Sequence, residues 1–218
     1  MSEPQVHRTY LFYRFVCFSV RIGLKIWERF EVHGSENVPA SGGCVVACNH
    51  VSYLDPPSIA CSVRHRVIRF LARDTLSRTW IGDYFFRHIH AVSIDRTKGD
   101  VGALRKSIQV LKGGEVLGLF PEGTRSVDGE LKPAKAGVGF LIAKAGVPVV
   151  PAYVDGSFQA YPKGAQRIKR GRVRVFFGPA IQPSEFAAFA SERDGYEKIS
   201  SLVMSRIAAL KPAKSSAP

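Results

Sequence analysis

CVVACNHVSYLDPP, residues 44–57, is the stretch on which the fold reading turns. Five apolar residues give way to a short polar loop, and the chain restarts at two prolines, as when a buried strand hands over to a new helix. Outward from it the same alternation recurs. VIRFL, HAVSI, EVLGLF and VPVVPAYV are apolar runs bounded by turns, and the segments between them have helical character. The clearest helix is RTKGDVGALRKSIQVLKGG, residues 96–114, with Val101, Leu104, Ile108 and Leu111 on one face and glycines closing its end. Strands alternating with helices predict an α/β fold: a single layered domain with a partly parallel central sheet flanked by helices. GRVRVFF, residues 171–177, reads as a later strand, and residues 183–211 as one or two closing helices. The domain is expected over 31–211, with 212–218 a flexible tail.

Residues 1–30 form a separate expectation. From 8 to 30 the chain is largely apolar, and Arg14, Arg21, Lys25 and Glu28 recur at helical offsets, giving one narrow polar stripe. The broad Phe, Leu, Ile, Tyr and Trp face suits an amphipathic membrane-associating helix lying in the lipid interface. A core helix packing that face on the domain is the other reading. The arginines near its middle argue against a membrane span.

With 218 residues, 45% of them hydrophobic, the chain is long enough for one full core. Its 31 Lys and Arg against 18 Asp and Glu give a net charge of +13, which points to an anionic partner. Zinc-finger spacing, RNA-binding aromatic signatures and heptad-supported basic regions are missing, so the expected partners are lipid or phosphorylated molecules and no nucleic acid. Cys17, Cys44, Cys48 and Cys61 make no CxxC pair, and reduced thiols at a cytoplasmic location follow. An extended chain puts Cys44 and Cys48 on one face, where they read as small core residues.

Two clusters carry chemistry. His50 and Asp55 lie five residues apart across the strand-to-helix turn, a spacing that lets a carboxylate fix the imidazole tautomer and free the other nitrogen as a base. A capping aspartate beside a satisfied histidine has the same spacing. FPEGTRS, residues 120–126, also follows an apolar run, so both clusters fall at the rim where α/β sheets collect ligands. Arg125 offers a planar fork for phosphate, and Glu122 can accept from hydroxyls or orient the arginine. An internal ion pair in a glycine turn is the alternative. Arg96, ending SIDR, adds positive charge to the rim or forms a surface ion pair.

With these residues in view, the chain from about Phe30 to Pro179 resembles the 1-acyl-sn-glycerol-3-phosphate acyltransferase (lysophosphatidic acid acyltransferase) family. NHVSYLD, VSIDR, FPEGTRS and VPVVP match its four blocks in order. The resemblance implies His50 as general base and Asp55 as its orienting partner. It implies Arg96, Glu122, Gly123, Thr124 and Arg125 at the acceptor's glycerol phosphate, with Lys135 and Gly137 in a following basic loop. Pro148 and Pro151 would shape the acyl-side wall. His90, Ser93 and Ala134 depart from residues common in the family. The implied reaction moves a fatty acyl group from acyl-CoA or acyl carrier protein to the sn-2 hydroxyl of the acceptor. It gives phosphatidic acid on the cytoplasmic face of the cell membrane, with no metal or cofactor. Another lysophospholipid or glycerol 3-phosphate as acceptor, a thioesterase, a covalent route through Cys48 and a silent anionic-lipid binder are the rivals. Alanine at either His50 or Asp55 is expected to lower turnover by orders of magnitude and leave the fold intact.

Overall fold

The computed structural model describes residues 3–73, 92–94, 99–135 and 137–213. The N-terminal segment is helical, α1 (Glu3–Glu28), and leads into a short edge strand, β1 (Glu31–His33). The quoted run then behaves as read: β2 (Cys44–Cys48) is buried at all five residues, and α2 (Asp55–Ser62) starts with prolines in its first turn. The alternation continues through β3 (Ile68–Arg73), β4 (Val92–Ile94), α3 (Gly99–Lys112), β5 (Val116–Leu119), α4 (Gly137–Ala145), β6 (Val149–Asp155), α5 (Ser157–Ala160) and β7 (Arg174–Phe177). The closing segment is the short α6 (Pro183–Phe186) followed by α7 (Gly195–Ala208).

The described strands form one sheet in the order β1-β7-β6-β2-β5-β3-β4. Every neighbouring pair is parallel except β6 with β7. Alternation along β2 assigns its two faces to two cores. Cys44, Val46 and Cys48 pack with Leu24 of α1 and Ile59 of α2. Val45 and Ala47 pack with Leu111 of α3, Leu141 and Ile142 of α4, and Ile199, Val203 and Ile207 of α7. Val101 departs from the one-face reading: it stands 67% exposed in the first turn of α3, ahead of the part that meets the core.

Pro151 sits in β6 opposite Ala47 of β2. Its carbonyl accepts from Gly178 N at 2.9 Å, just past the end of β7, so the absent N–H also faces the side where that ladder has already stopped. Pro148 accepts from Val45 N at 3.0 Å, at the opposite end of the sheet from His50. Five residues of strand separate those levels, about 16 Å. Pro148 thus lies at the end of the sheet away from the rim, where the wall role implied by the resemblance does not place it.

α1 decides between its two readings by using both faces. Tyr13, Leu24 and Glu28 are buried, the Tyr13 hydroxyl accepts from Ile68 N at 3.2 Å, and Arg21 Nη1 donates to Cys61 O at 3.1 Å near the end of α2. On the opposite side Leu11, Phe15, Phe18, Ile22 and Ile26 are 42–69% exposed, spaced four, three, four and four residues apart. The polar stripe is not one solvated row, since Glu28 is only 1% exposed and Arg21 is engaged, leaving Arg14 and Lys25 exposed along it.

Candidate active site

β2 ends where Asn49 extends its pairing. The Asn49 side chain donates to Val154 O at 3.0 Å and accepts from Val154 N at 2.7 Å, replacing the next ladder rung against β6. This fixes the point at which the backbone turns and His50 emerges. The His50 ring stacks on Phe120 with centroids 4.0 Å apart, and Phe120 stacks in turn on Phe70 at 5.7 Å. Phe70 lies across Gly118 of β5, where any Cβ would come within 2.3 Å of the ring. A glycine in a central strand thus opens the space for the aromatic row that holds the imidazole.

Asp55 is fully buried. Its Oδ2 accepts from His50 Nδ1 at 2.9 Å, from Val51 N at 2.7 Å and from Ser52 N at 2.7 Å. Its Oδ1 accepts from the Ser157 hydroxyl at 2.6 Å. These N–H groups lie upstream of α2, so the aspartate closes the preceding loop and does not cap its own helix. An acceptor-only carboxylate requires Nδ1 to carry the proton, leaving the lone pair on Nε2. Among the described residues no group bonds Nε2, which makes it the free basic atom of the site.

The second cluster is braced against the first. Gly123 N donates to Phe120 O at 2.9 Å, closing a turn in which Gly123 has φ +69°, the left-handed region. Glu122 is 3% exposed, and its Oε1 accepts from His50 N at 2.9 Å while Oε2 accepts from Lys132 N at 3.3 Å. Burial raises its pKa above the usual carboxylate range, against the lowering effect of those two bonds. Ser126 N donates to His50 O at 2.7 Å, so both backbone groups of His50 are held by FPEGTRS. Arg125 lies over the Tyr53 ring, its Cζ 3.4 Å from the centroid, with Nη1 buried and bonded to no described residue. Glu122 and Arg125 thus face different partners, and the internal ion pair is replaced by a brace and a guanidinium held ready at the rim.

The Acyltransferase family pattern matches residues 29–155, more than half of the chain. The chain belongs to the acyltransferase family. It is 29% identical over 181 residues to a 1-acyl-sn-glycerol-3-phosphate acyltransferase of Bacillus subtilis, covering 83% of this chain and 87% of that one. It is 30% identical over 168 residues to a chloroplastic 1-acyl-sn-glycerol-3-phosphate acyltransferase of Brassica napus, covering 75% of this chain and 48% of the plant protein. The crystal structure of the 1-acyl-sn-glycerophosphate acyltransferase of Thermotoga maritima superposes with a TM-score of 0.79 at 28% identity, over 99% of this chain and 86% of that one.

In this acyltransferase His50, Asp55, Glu122, Gly123, Thr124, Arg125 and Lys135 share one end of the sheet. Arg96 lies outside the described residues. Lys135 N donates to Pro121 O at 2.8 Å, and its side chain runs over Gly123, where a Cβ would stand 2.8 Å from Cγ. Thr124 is exposed on the same turn. Four positions escaped the sequence reading: Ser157, Phe120 as a stacking surface, and the pair Tyr53 and Tyr161, whose rings meet at 5.4 Å. Ser157 stands two residues past the end of β6, so nearness to a strand end would have flagged it. Cys48 is buried, its thiol donates to Asn49 Oδ1 at 3.2 Å, and burial pushes its pKa well up, which removes the thiolate a covalent route needs. Alanine at 55 would remove four hydrogen bonds from a buried site, a stability cost that the spacing of His50 and Asp55 does not reveal.

Proposed function

We propose that the enzyme transfers a fatty acyl group from a thioester donor, acyl-CoA or acyl carrier protein, to the sn-2 hydroxyl of 1-acyl-sn-glycerol 3-phosphate, giving phosphatidic acid. The observation that carries this reading is the free Nε2 of a buried His50–Asp55 pair on the same rim as the FPEGTRS turn and Arg125. The relatives named for this reaction support the choice of acceptor.

His50 Nε2 takes the proton of the acceptor hydroxyl as that oxygen attacks the thioester carbonyl. Asp55 holds the ring and stabilises the imidazolium that forms. The proton then passes to the departing thiolate as the tetrahedral intermediate collapses, so no acyl-enzyme is needed. Arg125, with Arg96, Lys135, Gly123 and Thr124, holds the acceptor phosphate and so orients one hydroxyl toward the base. Glu122 acts as a positioning residue, through the His50 backbone.

The exposed apolar stripe of α1 seats the enzyme on the cytoplasmic leaflet, where its acceptor resides. No helix of the described residues is long and apolar enough to cross a membrane. Removing α1 would expose its core face, so stripe substitutions such as Phe15→Glu with Phe18→Glu are the proper probe of docking. The test of the reaction is a product-resolved assay of purified protein with both donor types over a panel of lysophospholipids and glycerol 3-phosphate. Acylation of 1-acyl-sn-glycerol 3-phosphate at sn-2 is expected. Fatty acid release independent of acceptor would replace the reading with a thioesterase.

A further inference from the structure

Between α5 and β7 the chain reads KGAQRIKRGR, residues 163–172: five cations, no acid and one large apolar residue. All five cations are exposed, and Ile168 is 44% exposed in their midst. Arg172 is spent on Glu31, with bonds of 2.9 and 3.0 Å. No ion pair to a described residue engages Lys163, Arg167, Lys169 or Arg170. The proposed reaction uses none of them.

Topology fixes where this loop lies. It leaves the C-terminal end of β6 and returns into β7 opposite Asp155, so it belongs to the same end of the sheet as His50. Its base is anchored there by Lys169 N to Ala160 O at 2.9 Å and by the bridge between Ser52 and Pro162. Its far end rests on the last turn of α1. Val173 N donates to Glu28 O at 2.9 Å, and a Cβ on Gly171 would stand 3.4 Å from Glu28 Oε2. Ile26 and Trp27, 69% and 52% exposed, end the helix beside it. Beneath Lys169 and Arg170 a recess of about 350 Å³ opens against Gln159 and Gly156. The one acid lining it, Asp155, is already paired with Arg174 at 2.7 Å.

We infer that the 163–172 loop is a second membrane contact, which binds the phosphates of anionic lipid headgroups and inserts Ile168 at the level of the acyl boundary. Charge complementarity and continuity with the exposed face of α1 carry it, and it rests on the docking role proposed for that helix. An isolated exposed isoleucine flanked by cations matches an interfacial surface, with apolar insertion and basic contact side by side. Two contacts at one end of the sheet do what a single helix cannot. A helix alone leaves rotation about its axis free, whereas the loop turns the His50 rim down toward the leaflet that holds the acceptor.

The test uses the full chain and vesicles of phosphatidylcholine alone or with about one quarter phosphatidylglycerol. Wild type, the α1 variant Phe15→Glu/Phe18→Glu, the loop variant Arg167→Gln/Lys169→Gln/Arg170→Gln, and Ile168→Asp are compared after circular dichroism has shown each to be folded. Partition onto the anionic vesicles should fall about five-fold per cation removed, about a hundred-fold for the triple variant, with little change on neutral vesicles. Ile168→Asp should weaken binding to both. A triple variant that partitions within about three-fold of wild type while the α1 variant is released overturns the loop assignment alone. Should the triple variant bind vesicles normally but raise the KM of acyl-CoA, the cations serve the coenzyme phosphates and the inference is wrong. Wild type that binds neither vesicle would instead remove the docking role of α1 itself.

Discussion

Asp55→Asn isolates what the carboxylate does from what it holds up. The amide oxygen can take the place of Oδ2 and accept from His50 Nδ1, Val51 N and Ser52 N, while the amide nitrogen turns toward Ser157 Oγ, a hydroxyl able to accept as well as donate. The hydrogen-bond count then survives, and so does the tautomer. What is lost is the negative charge 2.9 Å from the ring that becomes positive in the transition state. General-base catalysis contributes about 10² to 10⁴ in rate, so kcat should fall by about 10² to 10³, equivalent to about 3–4 kcal/mol. The acceptor KM should move little, since the amide touches no substrate. Asp55→Ala differs in kind: it orphans buried N–H groups at about 1–3 kcal/mol each, so its thermal unfolding midpoint should drop by many degrees. The assay is initial-rate acyl transfer with a dispersed acceptor, beside thermal unfolding of each variant. A folded Asp55→Asn enzyme with kcat within about five-fold of wild type would refute the orienting and charge-stabilising role.

Arg125→Ala should raise the acceptor KM by at least about ten-fold while the donor KM stays near wild type, and Arg125→Lys should recover only part of the loss because the bidentate fork and the stacking on Tyr53 are gone; equal effects on both substrates would contradict a phosphate-holding role. Cys48→Ser should keep at least about a tenth of wild-type turnover, the thiol being buried and protonated; its abolition in a folded protein would revive the covalent route. For Glu122 the folded pKa is raised, so its contribution to stability is fully present below the ordinary carboxylate value and declines as pH rises through the raised one. The stability advantage of wild type over Glu122→Gln should therefore shrink as pH rises from the ordinary carboxylate value through the raised one. An advantage that grows over that interval would reverse the assigned cause, burial.

The parts of the fold that were legible in the sequence are those fixed by local pattern. CVVAC followed by a polar loop and two prolines became β2, a loop and α2 because burial on both faces and proline chemistry act within a few residues. Assignment of the α1 faces was beyond that logic. A helical period reports that apolar residues gather on one broad side, not that half of the side meets α2 and half meets solvent. Glu122 shows the same limit at the site. FPEGTRS marked it for a ligand, yet its carboxylate reaches back 72 residues to the His50 backbone, a contact set by the β2–β5 register. Ser157 reaches Asp55 across 102 residues because β6 pairs with β2.

The central claim is that His50 is the base that activates the acceptor hydroxyl. Turnover of His50→Ala, measured as phosphatidic acid formed from 1-acyl-sn-glycerol 3-phosphate with the fold confirmed by circular dichroism, tests it most directly. The ring contributes one stacking contact with Phe120 and one of the four hydrogen bonds to Asp55, and the carboxylate keeps those from Val51 N, Ser52 N and Ser157, so the variant should fold, bind acceptor, and lose at least about 10² in kcat. Wild-type turnover from folded His50→Ala protein would contradict the account.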